Sequence, residues 1–139
     1  MLSAYPACFI REESGYTVVF PDLNFLSTCG ATLDEAFAMA VDCLAGYIYT
    51  SQLDHEKIPA PSSVQDIDTN KIVRELEITA SEAFTNIITV DVKEYAKVHF
   101  EKSVKKTLSI PAWLNRAALE RGINFSQTLQ EALLKKIKQ

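Results

Sequence analysis

The chain is poor in the residues that carry the commoner chemistries. Of 139 residues, three are cysteine, two histidine, four glycine and one tryptophan. Cys8, Cys29 and Cys43 stand 21 and 14 apart, which matches no CxxC or zinc spacing. An odd number of cysteines suggests free thiols acting as small hydrophobes. His55 and His99 have no second ligand at helical spacing, so no metal site is expected. There is no glycine-rich loop to cradle a phosphate and no polar cluster that marks a ligand, so no cofactor is expected either. No apolar run approaches the ~20 residues that span a bilayer. The start, Met1-Leu2-Ser3-Ala4-Tyr5-Pro6, lacks the basic residues and long apolar stretch of a secretory signal. The expected location is therefore cytoplasmic.

What the chain does have is apolar mass and divided charge. Apolar residues make up 47% of it, enough for a packed core. Its length allows one ordinary domain, or one of roughly 100 residues with a small module attached. From Lys102 onward there are eight Lys/Arg against two acids, a net of +6; residues 1–101 hold six against sixteen, a net of −10. A basic end suits a polyanion and an acidic body suits a basic partner. That division fits a regulator or adaptor better than an enzyme, and no catalytic residue is assigned.

Apolar periodicity sets out the body. Residues 2–10 and 16–20 read as strands joined by a polar segment ending in Gly15, a hairpin signal. Leu26 to Gly30 can form a short third strand. Thr32-Leu33-Asp34-Glu35 is a capping box. A helix follows, with apolar residues at Leu33, Ala36, Phe37, Ala40, Val41, Leu44, Tyr47 and Ile48. Its apolar face should cover the hairpin. Pro59, Pro61, Ser62 and Ser63 make 54–70 a connector. The stretch 70–80 is ambiguous between helix and loop. Phe84 to Val92 is rich in β-branched and aromatic residues and reads as a fourth strand. Residues 93–102 are charged and mixed, and read as a linker with room for a helical turn.

The tail changes character. Lys105 to Ile110 alternates as a short strand, and Pro111 opens a helix through Trp113, Leu114, Ala117 and Ala118. Gly122 is placed as its left-handed stop. A second helix, capped near Asn124, carries Leu129, Ala132, Leu133 and Ile137 on one face. A strand and two helices in so few residues cannot bury a core of their own, and a lone strand leaves its edge unpaired. Two copies that pair strand to strand and interlock their helices remove both defects. The tail therefore predicts a homodimer. Pairing of the front domains into a tetramer stays open.

That element order resembles a ribbon-helix-helix DNA-binding domain, whose two-chain ribbon enters the major groove of operator double-stranded DNA. Alternation puts Leu108 and Ile110 on the buried face, where Trp113, Leu114, Leu129 and Leu133 would complete the dimer core. By the resemblance, Lys105, Thr107 and Ser109 would meet base edges. Lys106, at the ribbon's edge, and Asn124 with Ser126, at the start of the second helix, would hold phosphates.

The front half carries a second resemblance. Tyr5-Pro6-Ala7, Gly15-Tyr16, Phe20-Pro21-Asp22-Leu23 and Gly30-Ala31-Thr32 with Glu35-Ala36 are similar to the pattern of the HicB antitoxin family. One departure is that the family usually follows the "PDL" motif with Pro-Gly-Cys, where Asn24-Phe25-Leu26 stands here. The resemblance implies an α+β chain. Residues 1–92 would be a partial RNase H-like β-β-β-α-β domain, 93–102 a linker and 103–139 the ribbon-helix-helix domain. It implies an antitoxin that blocks a HicA-type mRNA-cleaving ribonuclease and represses its own operon. Tyr5, Tyr16, Phe20, Asp22 and Phe25 would be the residues that meet the toxin. The residues admit two other readings. A nuclease would need converging carboxylates, for which Asp22, Asp34, Glu35 and Asp42 are candidates by count, but Glu35 already serves as a cap and Asp34 and Asp42 lie on the solvated side of the helix. A stand-alone repressor with a ligand-sensing front domain finds no ligand cluster to support it.

Overall fold

A computed structural model describes residues 1–139. The chain divides into two units, Met1–Lys102 and Ser103–Gln139. The first holds seven Lys/Arg against sixteen Asp/Glu, a net of −9. No helix is long and apolar enough to cross a membrane.

The first unit is a four-stranded antiparallel sheet. Strand β1 (Ser3–Glu12) turns through Glu13 and Ser14 into β2 (Gly15–Phe20), with Glu12 opposite Gly15 and Cys8 opposite Val19. Gly15 is required here twice over. Its φ is +140°, and a Cβ on it would stand 2.6 Å from the Gly30 carbonyl oxygen. Pro21–Leu23 makes a single tight turn of 3-10 helix. Strand β3 (Leu26–Gly30) then returns beside β2, and α1 (Leu33–Leu53) crosses the sheet. Strand β4 (Glu82–Val90) pairs with β1 from the far side, giving the order β3-β2-β1-β4. The expected β-β-β-α-β order is present with one addition, a short second helix at Thr69–Glu75 between α1 and β4.

The period of two along β1 sorts its side chains onto two buried faces. Tyr5, Ala7 and Phe9 join Val18, Phe20, Ile88 and Val90 under α1, which lays Ala36, Ala40, Leu44, Ala45 and Ile48 on them. Phe9 is the centre of this layer. Its ring lies 4.5 Å from that of Phe37 and stacks at 5.2 Å on that of Phe84. Burial of a side chain of that size contributes about 1.5–3 kcal/mol.

The opposite face is also covered, which the sequence had not indicated. Cys8, Ile10 and Val19 are capped by Ile72, with Ile67, Val73, Ile78 and Ala83 around it. Ile72 comes from a short helix, α2 (Thr69–Glu75), whose first turn is closed by Asp68 accepting from the Lys71 amide at 3.1 Å. The ambiguous stretch 70–80 is therefore a helix followed by a loop.

Residues 93–102 are not a linker. Val92–His99 form α3, capped by Asp91, whose carboxylate accepts from the Glu94 amide at 3.2 Å. That hydrogen bond, followed by the neighbouring Met1 ammonium, holds the Asp91 carboxyl below its ordinary value. Val92 and Ala96 are buried against the first unit. Tyr95 donates to Asp42 of α1 at 2.9 Å, and the Phe100 ring packs 5.3 Å from that of Tyr49. The charged surface of α3 hides this narrow apolar edge from a sequence pattern.

The second unit has two helices, α4 (Ala112–Glu120) and α5 (Phe125–Ile137). Gly122, at φ +64°, ends α4 where expected. Its amide reaches the Leu119 carbonyl and the Ile123 amide reaches that of Ala118, each at 3.1 Å, the paired bonds of a Schellman stop. Residues 103–111 form no helix or ladder within one chain, so the strand expected at Lys105–Ile110 is not paired inside the monomer.

Candidate functional site

The family-like motifs of the front unit turn out to hold the fold together. Thr32 and Glu35 form the expected capping box: the Glu35 amide donates to Thr32 Oγ1 and Glu35 Oε2 accepts from the Ala31 amide, both at 3.2 Å. Gly30 is bare because a Cβ there would stand 2.5 Å from the Ala36 nitrogen. Strand end and helix start meet backbone to backbone, and no side chain has room to give.

Phe20-Pro21-Asp22-Leu23 clamps the connector. Phe20 and Leu23 are buried in the core. Asp22 accepts from the Ser62 amide at 2.8 Å and the Ser62 hydroxyl at 2.6 Å. Tyr5 donates to the Pro59 carbonyl at 2.5 Å. Burial, then the Asp22 charge, pushes the Tyr5 hydroxyl above its ordinary pKa. The loop 59–62 is thus strapped to the end of the sheet.

Of the five residues expected to meet the toxin, Tyr5 and Phe20 are buried core side chains, 8% and 0% exposed. Asp22 is half-buried and engaged with Ser62, and Tyr16 is half-buried at the core's margin. Phe25 alone of the five is open, 43% exposed. It sits, like Asn24, in the left-handed region at φ +57°. Asparagine tolerates that region, whereas a bulky aromatic there is strained by roughly 1–2 kcal/mol. The departure from the family's Pro-Gly-Cys therefore places a strained, exposed ring where glycine would sit freely.

The carboxylates weighed for nuclease chemistry are divided among other tasks. Asp22 holds Ser62, Glu35 caps α1, Asp42 accepts from Tyr95, and Asp34 is exposed in the first turn of α1. No three His, Cys, Asp or Glu side chains gather as metal ligands. The cysteines are free. Burial pushes the Cys8 thiol up to about 11, which leaves it a small core hydrophobe.

The basic unit presents a different surface. Only Ala118 is buried within it. Leu108, Ile110, Leu114, Leu129 and Leu133 are all exposed, and Trp113 is 65% exposed. Lys105, Lys106, Thr107 and Ser109 lie on the segment before α4 that is neither helix nor strand, all solvent-exposed. The Asn124 side chain accepts from the Gln127 amide at 3.0 Å, so it caps α5. The other amides of the helix's first turn, Ser126's among them, have no partner within the helix.

A family model described as "HicB_like antitoxin of bacterial toxin-antitoxin system" matches residues 4–81, over half of the chain. The chain belongs to the HicB-like antitoxin family. It is 41% identical over 59 residues to Antitoxin HicB 2 of Photorhabdus laumondii subsp. laumondii, covering 42% of this chain and 42% of that protein. It is 45% identical over 53 residues to Antitoxin HicB 1 of the same organism, covering 38% of this chain and 34% of that protein. The chain thus spans under half the length of the curated relatives it matches. A solved chain from a toxin–antitoxin complex of Streptococcus pneumoniae superposes with a TM-score of 0.61 at 32% identity, over 98% of this chain and 99% of that one. The family match runs from β1 through α2 and ends just short of β4. Within it, the HicB-like motifs Gly15-Tyr16, Phe20 to Leu23 and Gly30 to Ala36 are turn, clamp and cap.

Proposed function

We propose that this chain is a cytoplasmic antitoxin that neutralises a HicA-type ribonuclease toxin and represses its own operon. The family match over the front unit carries the reading. The likeness to the Streptococcus pneumoniae chain, extending over both units, supports carrying it to the whole length. The front unit would act as a truncated RNase H-like fold without catalysis. Its net charge of −9 suits a basic toxin and raises the rate of encounter. Co-expression with the small basic protein encoded in the adjacent reading frame tests this directly. The two should co-purify, and cell growth should recover; toxicity that persists despite equal expression would defeat the proposal.

The second unit would supply the operator contact as a ribbon-helix-helix dimer. Its support is the apolar surface that one copy leaves in water, around a segment 103–111 with no strand partner. In the dimer, Leu108, Ile110, Trp113, Leu114, Leu129 and Leu133 would form the shared core. Lys105, Thr107 and Ser109 would read bases, with Lys106 and the amides after Asn124 on phosphates. Alanine at Lys105, Thr107 or Ser109 should each cost about 1–3 kcal/mol of operator binding and relax sequence choice. The triple variant titrated against operator and scrambled DNA at fixed salt checks it. Equal affinity of variant and wild type for the operator contradicts the face assignment.

A further inference from the structure

β4 is the longer of the sheet's two outer strands, nine residues against five in β3. On the β3 edge, the Ser27 carbonyl accepts a weak hydrogen bond from the Cys43 thiol of α1 at 3.9 Å. The β4 edge is open. Pairing with β1 sets the backbone groups of Phe84, Asn86 and Ile88 inward, opposite Phe9, Ala7 and Tyr5. The N–H and C=O of Thr85, Ile87 and Thr89 accordingly point away from the sheet. Two details agree with that register. Ile87 stands opposite Pro6, which has no N–H to share. The Ile87 amide is instead taken by its own neighbour, Asn86 Oδ1, at 2.9 Å.

Natural sheets blunt such an edge with proline, lysine or a bulge. Residues 82–90 contain no proline and no basic residue, and Ile87 is 49% exposed. The charges around the edge select an occupant. Glu82 begins the strand and Asp91 follows it. Asp66 and Asp68 lie just before α2, whose Thr69 hydroxyl meets that of Thr85 at 2.9 Å. Arg11 stands 3.9 Å from Glu82, a loose pair with both side chains more than half exposed, and the Met1 ammonium pairs with Asp91. A second copy in antiparallel two-fold pairing would bring Glu82 of one chain beside Asp91 of the other, acid against acid. A basic strand meets the same edge favourably.

We infer that the outer edge of β4 is the docking site at which a basic protein partner adds an extended strand, with Ile87 as its apolar anchor. This rests on the antitoxin reading, in which that partner is the toxin. The main-chain groups of Thr85 and Thr89, with the Ile87 carbonyl, supply affinity, and the acidic flanks set preference and orientation.

Hydrogen exchange on the nitrogen-15-labelled full chain, free and saturated with the small basic protein of the adjacent reading frame, tests it. The Thr85 and Thr89 amides should slow by roughly tenfold or more on binding, while Phe84, Asn86 and Ile88, already in the ladder, change little. Thr89→Pro removes only an outward N–H, so it should weaken binding by about tenfold or more at an unchanged melting point. Ile87→Lys keeps the backbone and should weaken binding through its charge. Edge amides that stay unprotected in a complex that forms, with wild-type affinity in both variants, would overturn the docking site and leave the antitoxin reading standing. A wild-type chain that binds no toxin defeats both. Protection that grows with concentration in the free chain assigns the edge to a second copy and overturns the inference.

Discussion

A chain carrying Leu108→Asp with Ile110→Asp should elute as a monomer and bind no operator DNA. In the proposed ribbon these side chains from two copies meet on the covered face, so the dimer would bury four carboxylates. Removing an unpaired carboxylate from water costs several kcal/mol even after relaxation. A dimer of micromolar affinity holds only about 8 kcal/mol. The penalty exceeds what the helices can return, and the ribbon cannot form. Light scattering at micromolar concentration and gel shift at low salt measure both losses. The front unit should melt as before, since neither position belongs to it. A dimer that survives the double substitution refutes the proposed pairing.

The second large effect belongs to the front unit. Phe9→Ala removes a fully buried ring from between Phe37 and Phe84. Truncations of this kind cost about 3–5 kcal/mol, against a total stability of about 5–15 kcal/mol for a domain. At about 4–8 °C per kcal/mol for a unit of this size, the melting point should fall by at least about 12 °C. Toxin neutralisation should fail at growth temperature, while the tail's DNA binding persists in the cold. Calorimetry with a gel shift on the same sample separates the two. A fall of less than about 5 °C would mean that Phe9 is not the centre of the packing described here.

Which parts of this fold can be read from the chain follows from how local their signals are. Helix α1 announces itself through a capping box and a sustained 3.6-residue stripe, and Gly122 marks its turn by the one conformation it favours. The hairpin follows from period two and a polar turn. Helix α2 has seven residues and one buried side chain, Ile72, too little for a periodicity. Helix α3 spends Lys93, Glu94 and Lys97 on solvent and buries only Val92 and Ala96, so it reads as a charged connector. The Asp22–Ser62 clamp joins residues 40 apart, and nothing near either one signals it. Tyr5 and Phe20 are different. They alternate with Ala7, Phe9 and Val18 on the helix-covered face, a placement that becomes visible only once the helix is seen to pack on that side of the sheet. The open β4 edge depends on which strands are neighbours, knowledge that no single segment holds.

Strand order also dictates when the front unit can finish during synthesis. One flank of β1 is completed at once by the hairpin, but the other waits for β4, about eighty residues later in the chain. At ~5–20 residues per second, the ribosome leaves that flank bare for several seconds. Until Val90 clears the exit tunnel, the nascent chain exposes an apolar strand with one flank unpaired, and chaperone capture or misassembly competes with closure over that interval.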